Sequence, residues 1–347
     1  MRGGFRILVG ASVAVLSFVA ALEIQLQMSL SAAVVTPTRG LPSAANELAP
    51  PNDTRLARAV VPGPALNYQY VRDKLQLPAV HALARGKNVP IAVIDSGIDA
   101  NHPAFSGAEI VRHDATGAVN EPHAHGTGVV GAIVSQHKLL GVAPNSRVLA
   151  IRVFPTPRTD SESEASPQHI LRGLDWAVRN NVRIVNMSFA GPRDPLLQHA
   201  FKAAYDKGVI LIAAVGNGGP HAPALYPAAD PHVIAVTATD FNDRLFSDAT
   251  RGAHVAIAAP GVDVLTAAPG GTYQVTTGTS VAAAHVSGVV ALMLERNPAL
   301  TPAAVRNILT ATARPLGQPH LFGAGLVDPV RAVKLAEPRI AALTTRP

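Results

Sequence analysis

The stretch Pro90-Ile91-Ala92-Val93-Ile94-Asp95-Ser96-Gly97-Ile98-Asp99 decides the fold. A short, largely β-branched run ends abruptly in a carboxylate followed by a glycine-containing turn, which reads as a strand that delivers Asp95 to its carboxyl end. Similar runs recur downstream at Val148–Val153, Arg183–Met187, Val209–Ala214, Val233–Thr237 and Val255–Ala258. Helical spacing lies between or after them, at Ser166–Arg179, Asp194–Lys207, Ser280–Glu295 and Pro302–Thr312. Gly208 stands where a helix C-cap glycine belongs, and Thr301-Pro302 supplies an N-cap and an N1 proline. Strands alternating with amphipathic helices predict a mostly parallel central sheet with helices on both faces, a three-layer α/β/α architecture.

The rest of the chain is consistent with one large folded body. Its 347 residues are 48% hydrophobic, 15% charged and 4% aromatic, an aliphatic globular composition rather than a disordered one. The formal charge is +6, but the 29 Lys and Arg are scattered singly with no interleaved aromatic residues, so nucleic acid is not an expected partner. With no cysteine, disulfides, thiolate metal sites and a cysteine nucleophile are all excluded. At the amino terminus, Arg2 and Arg6 precede an uncharged apolar run from Ile7 to Leu22. This is the pattern of a secretory signal, and the run is short for a membrane span of roughly twenty residues. Residues 1–33 are therefore expected to be a signal peptide or N-terminal anchor, and 34–66, rich in proline, a linker or short pro-segment. Residues 67–336 form the folded domain and 337–347 a tail. The expected location is outside the cytoplasm, periplasmic or secreted, with membrane attachment only if residues 7–22 are retained.

Three short segments carry chemistry, and each has a plain structural reading when taken alone. Asp95 at a strand end could cap a turn or bind a cation. His125, in His123-Ala124-His125-Gly126-Thr127-Gly128, could join His123 and His113 on a metal, although no carboxylate or cysteine stands at ligand spacing. Ser280, in Thr277-Gly278-Thr279-Ser280-Val281, could be an ordinary residue at a helix start, where unpaired N–H groups and a positive dipole end would also suit a developing oxyanion. Their order along the chain, Asp then His then Ser, each at the end or beginning of an element, matches one of the known arrangements of a Ser-His-Asp triad. The G-x-S-x-G elbow of α/β-hydrolases is absent, because the residue two after Ser280 is Ala282.

The three segments resemble the motifs VIDSGID, HGTxVAG and GTSMAxPHVAG of the subtilisin-like serine proteases, the subtilases. Asn186-Met187-Ser188-Phe189-Ala190-Gly191-Pro192 is similar to that family's NMSLGGP strand, and Ala213-Ala214-Val215-Gly216-Asn217-Gly218 to its AAxGN segment. Phe322-Gly323-Ala324-Gly325-Leu326-Val327-Asp328 is similar to the closing YGxGxVD, so the resemblance spans about Tyr68 to Ala336. It implies a serine endopeptidase with a catalytic triad of Asp95, His125 and Ser280, an acyl-enzyme intermediate and an oxyanion donor at Asn217. Ser188, Phe189, Ala190, Gly191, Val215, Gly216 and Gly218 are the implied substrate-binding residues. Partners would be protein or peptide substrates, met by a monomer.

Departures from the family pattern qualify this. Val281 and Ala284 replace the usual methionine and proline of the serine box. The passage from Ser135-Gln136-His137-Lys138 to Leu140-Gly141 is too short for the calcium loop of many relatives, so no metal ligand and no cofactor is expected there. The segment before Tyr68 is short for a folded, inhibitory prodomain. Gly218 stands where relatives often carry an acidic residue, and Leu225 precedes Tyr226-Pro227 near the base of the specificity pocket, which predicts small or apolar P1 residues over basic ones. The rival from a different class is an exported peptide-binding protein of impaired activity on the same fold.

Overall fold

The computed structural model describes residues 69–117, 121–155 and 165–338. The apolar run at 7–22, the proline-rich segment and most of the tail lie outside them.

Seven strands form one sheet in the order β2-β3-β1-β4-β5-β6-β7, and every neighbouring pair is parallel. They are β1 (Pro90–Asp95), β2 (Ile110–Asp114), β3 (Arg147–Arg152), β4 (Ile184–Met187), β5 (Ile210–Ala214), β6 (Val233–Thr239) and β7 (Val255–Pro260). The five inner strands are buried almost throughout, as a parallel sheet covered on both faces requires. Among the described residues, six helices of eight or more residues surround it: α1 (Ala124–Val134), α2 (Pro167–Arg179), α3 (Pro195–Asp206), α4 (Thr279–Arg296), α5 (Pro302–Thr312) and α6 (Pro329–Ala336). One core joins α1, α4, α5 and α6 to the sheet, while α2 and α3 cover a second core through Leu174, Leu197 and Phe201. Helix α4 is buried from Val281 to Leu294, which explains why its sequence is apolar or small all round rather than amphipathic.

Local chemistry fixes the helix ends. The Asp194 carboxylate accepts from the Leu196 and Leu197 N–H groups at 2.9 Å, and the Thr301 hydroxyl from Ala304 N–H at 3.2 Å. Gly208 takes φ +85°, the left-handed conformation that ends α3 without a Cβ penalty. Several elements were not anticipated, among them the closing helix α6. Edge strand β2 is only half buried, with Arg112 and His113 breaking its apolar run. A separate antiparallel hairpin, β8 (Val264–Ala268) with β9 (Thr272–Thr276), turns at Gly270 and Gly271, both at positive φ.

The winding matters for function. From β1 the chain places β2 and β3 on one side, then returns to lay β4 to β7 on the other. The direction reverses between β1 and β4, and in open parallel sheets such a switch point leaves a crevice at the carboxyl ends of the strands. Asp95 is the last residue of β1, and Ser188 follows the last residue of β4.

Candidate active site

Asp95 is 2% exposed at the end of β1. Its Oδ1 accepts from Ser96 N–H at 2.7 Å, Ser96 Oγ–H at 3.1 Å and His125 Nδ1 at 2.7 Å, while Oδ2 is buried without a hydrogen-bond partner. Such a short contact to an ionised acceptor orients the imidazole and fixes the proton on Nδ1, leaving Nε2 as the basic nitrogen. Burial pulls the His125 pKa down, but the charge of Asp95 and its hydrogen bond outweigh this and hold it above the ordinary 6.5.

His125 is brought to Asp95 by the start of α1. His123 is the N-cap, its Nδ1 accepting from His125 N–H at 3.1 Å. The Ser96 hydroxyl accepts from Gly126 N–H at 3.0 Å, tying β1 to the helix start. A Cβ on Gly126 would lie 2.8 Å from the Ser96 carbonyl oxygen, so only glycine permits this approach. His123 is thereby used as a cap, and His113 stacks on Trp176 with 4.3 Å between ring centres. Among the described residues, no three His, Asp or Glu side chains converge as a metal site would need.

Ser280 sits in the first turn of α4. Its hydroxyl donates to the Ser188 carbonyl at 3.1 Å and makes no hydrogen bond to His125. Behind it runs a buried polar chain in which Ser287 Oγ donates to Asn186 Oδ1 (2.9 Å), Asn186 Nδ2 to Ser188 Oγ (2.8 Å) and Ser188 Oγ to the Ser280 carbonyl (3.0 Å). These contacts lock the end of β4 to the start of α4.

Asn217, beyond β5, is held from the same helix. Its Oδ1 accepts from Thr279 N–H at 3.1 Å and Thr279 Oγ–H at 2.8 Å, and the Thr279 hydroxyl in turn accepts from Gly216 N–H at 3.2 Å. With Oδ1 occupied, Nδ2 is the free end of the amide, lying 3.2 Å from where a Cβ on Gly278 would be. The sequence did not single out Ser96, His123 or Thr279 in these roles, although each stands beside a residue that it did.

In the implied substrate-binding segment Ser188–Gly191, part of the backbone is already engaged within the chain. Gly191 exchanges both backbone hydrogen bonds with Tyr226, at 2.8 and 2.9 Å, and the Ser188 carbonyl receives Ser280. Among the described residues, the backbone groups of Phe189 and Ala190 have no intramolecular partner. Val215 N–H donates to Val236, and the Gly216 carbonyl accepts from Thr250 N–H at 3.0 Å.

The fold, with a carboxylate–imidazole pair and a helix-terminal serine gathered at its carboxyl edge, is that of an α/β serine hydrolase. The family model described as the subtilase family matches residues 86–325, more than half of the chain. Subtilisin of Bacillus pumilus is 36% identical over 275 residues, covering 76% of this chain and 98% of its own. Subtilisin E of Bacillus subtilis is 36% identical, over 76% of this chain and 71% of its own. Among solved structures, the prenylagaramide maturation protease PagA superposes with a TM-score of 0.67 at 32% identity, covering 75% of this chain and 98% of that one. The chain belongs to the subtilase family and is a serine endopeptidase.

Proposed function

We propose that this chain hydrolyses peptide bonds through Asp95, His125 and Ser280, by way of an acyl-enzyme. The observation that carries the reading is the 2.7 Å contact between Asp95 Oδ1 and His125 Nδ1, at a site that also holds the Ser280 hydroxyl and the Asn217 amide. Ser280 Oγ attacks the scissile carbonyl as its proton passes to His125 Nε2, and the carbonyl electron pair moves onto oxygen. That oxyanion is received by Asn217 Nδ2 and the Ser280 backbone N–H, at the positive end of α4. Collapse breaks the C–N bond while His125 protonates the leaving amine, and water then repeats the sequence to release Ser280. Asp95 stabilises the imidazolium throughout. In the resting site Ser280 must turn from Ser188 toward His125, a tightening that substrate binding ordinarily brings about.

Phe189 and Ala190 would pair with an extended peptide as an added strand, because their backbone groups are the unpaired ones. Residues 67–336 would be the peptidase domain, and the apolar run 7–22 would direct export. Neither cofactor nor metal takes part in the chemistry proposed. The test is kinetic: Asp95→Asn, His125→Ala and Ser280→Ala, singly and together. If the three act as one unit, losses in kcat are strongly non-additive, the triple variant being about as active as Ser280→Ala alone. Additive losses, or turnover retained by Ser280→Ala, would overturn the reading.

A further inference from the structure

Beyond Met187 and Ala214, the paired strands β4 and β5 continue as two segments, Ser188–Gly191 and Val215–Gly218, which flank Ser280 through Ser188 and Asn217. Their far end is closed by the segment carrying Leu225 and Tyr226, pinned to Gly191 by the two-bond bridge. The gap between these segments is narrow. A single carbon added to Gly216 would lie 3.0 Å from Leu225 Cδ1, 3.3 Å from Thr250 Oγ1 and 3.4 Å from Ala190 Cβ. With a carbon–carbon bond of about 1.5 Å, Gly216 Cα and Ala190 Cβ are at most about 5 Å apart. An aromatic ring passing between two carbons needs roughly 3.5 Å on each face, about 7 Å in all. Thr250 adds a second constraint. It is fully buried and its hydroxyl faces the same gap, so no solvent-accessible space lies against it for a long side chain to enter.

We propose that Leu225, together with Ala190, fills this gap and restricts the acyl-side residue of the scissile bond to glycine, alanine or serine. The inference rests on the peptidase reading above and adds its substrate class. Large aromatic, branched and basic residues are excluded by width, not by charge. Ala190 sets the width against Gly216 and Leu225 closes the gap beyond it, and the Leu225 side chain can be truncated without moving a hydrogen bond.

The experiment compares kcat/KM for two peptides that differ only at this position, alanine against phenylalanine, with fluorophosphonate labelling of the same samples to count active sites. Wild type is expected to favour alanine by about 100-fold or more, and Leu225→Ala to raise the phenylalanine-to-alanine ratio by about 10- to 100-fold. Ala190→Gly should raise it in the same direction, which guards against a folding defect in the first variant. Labelled wild type that prefers phenylalanine, or a ratio unmoved in both labelled variants, overturns the inference and leaves the peptidase reading standing. Failure of wild type both to label and to cleave either peptide overturns the peptidase reading itself, and this inference with it.

Discussion

Replacing Thr279 by valine tests whether Asn217 acts only because α4 holds it. Valine keeps the shape of a side chain that is 1% exposed but removes the hydroxyl, which donates to Asn217 Oδ1 at 2.8 Å and accepts from Gly216 N–H at 3.2 Å. Two consequences follow. Gly216 N–H loses its acceptor in a buried place, which costs about 1–3 kcal/mol of stability. Asn217 keeps one of its two restraints, the 3.1 Å contact from Thr279 N–H, so its Nδ2 is less well aimed. Removing such a side-chain donor altogether costs about 10² to 10³ in kcat, the range established for subtilisin. A misaimed donor should lose part of that, about 10-fold, in kcat and not in KM, because the amide meets the substrate oxygen only as it becomes charged. The assay is steady-state hydrolysis of an alanyl peptide by wild type, Thr279→Val, Asn217→Ala and the double variant, with urea unfolding of each. In the Asn217→Ala background, Thr279→Val should lower stability yet leave kcat unchanged, because no amide remains to aim. An equal further fall of kcat in that background would show that Thr279 acts by some route other than Asn217.

Other expectations can be checked as directly. Gly126→Ala places a Cβ 2.8 Å from the Ser96 carbonyl, so α1 must move off β1 and lengthen the Asp95–His125 contact; kcat should fall by about 10²-fold or more, and a variant of near wild-type activity would contradict the packing argument. Because His125 must be neutral to accept a proton and its pKa is raised by Asp95, kcat/KM should rise with pH through an apparent pKa above 6.5 and then level. Asp95→Asn removes the raising influence and leaves burial, so the residual activity should show this limb displaced to lower pH; a limb that stays put would remove Asp95 from its role. His285 is fully buried, donates to or accepts from nothing charged, and burial lowers its pKa to about 4. The unfolded chain therefore binds a proton that the native one refuses between about pH 6.5 and 4, so stability is complete above that window and falls by about 3 kcal/mol as pH drops through it. Urea unfolding of Ser280→Ala protein at pH 7 and 4, with and without His285→Gln, should show a smaller pH loss in the double variant, and equal losses would contradict it.

The inner strands were legible because each is a β-branched run with no solvent face, and their helices because Ser166, Asp194, Thr301 and Gly208 mark their ends. Strand β2 was not, since an edge strand tolerates Arg112 and His113 in mid-run, and the 264–276 hairpin reads as turn-rich polar sequence around Pro269-Gly270-Gly271. Asp95, His125 and Ser280 were visible as residues at element ends, and Asn217 and Ser188 through resemblance. Thr279 and Ser96 act on residues distant in sequence, through contacts that no local spacing encodes, whereas His123 caps its own helix two residues before His125. The backbone engagement of Gly191 depends on Tyr226, on a separate loop, so only the assembled fold could show that the open edge is Phe189–Ala190.

The central claim is that Ser280 is the nucleophile that becomes acylated. Intact-protein mass spectrometry after treatment with a fluorophosphonate measures this most directly. Wild type should gain the mass of one phosphonyl group, mapped by peptide digestion to Ser280, with the rate of gain rising through the same apparent pKa as kcat/KM, and Ser280→Ala should gain nothing. Labelling at another serine, or equal labelling of Ser280→Ala, would contradict the account.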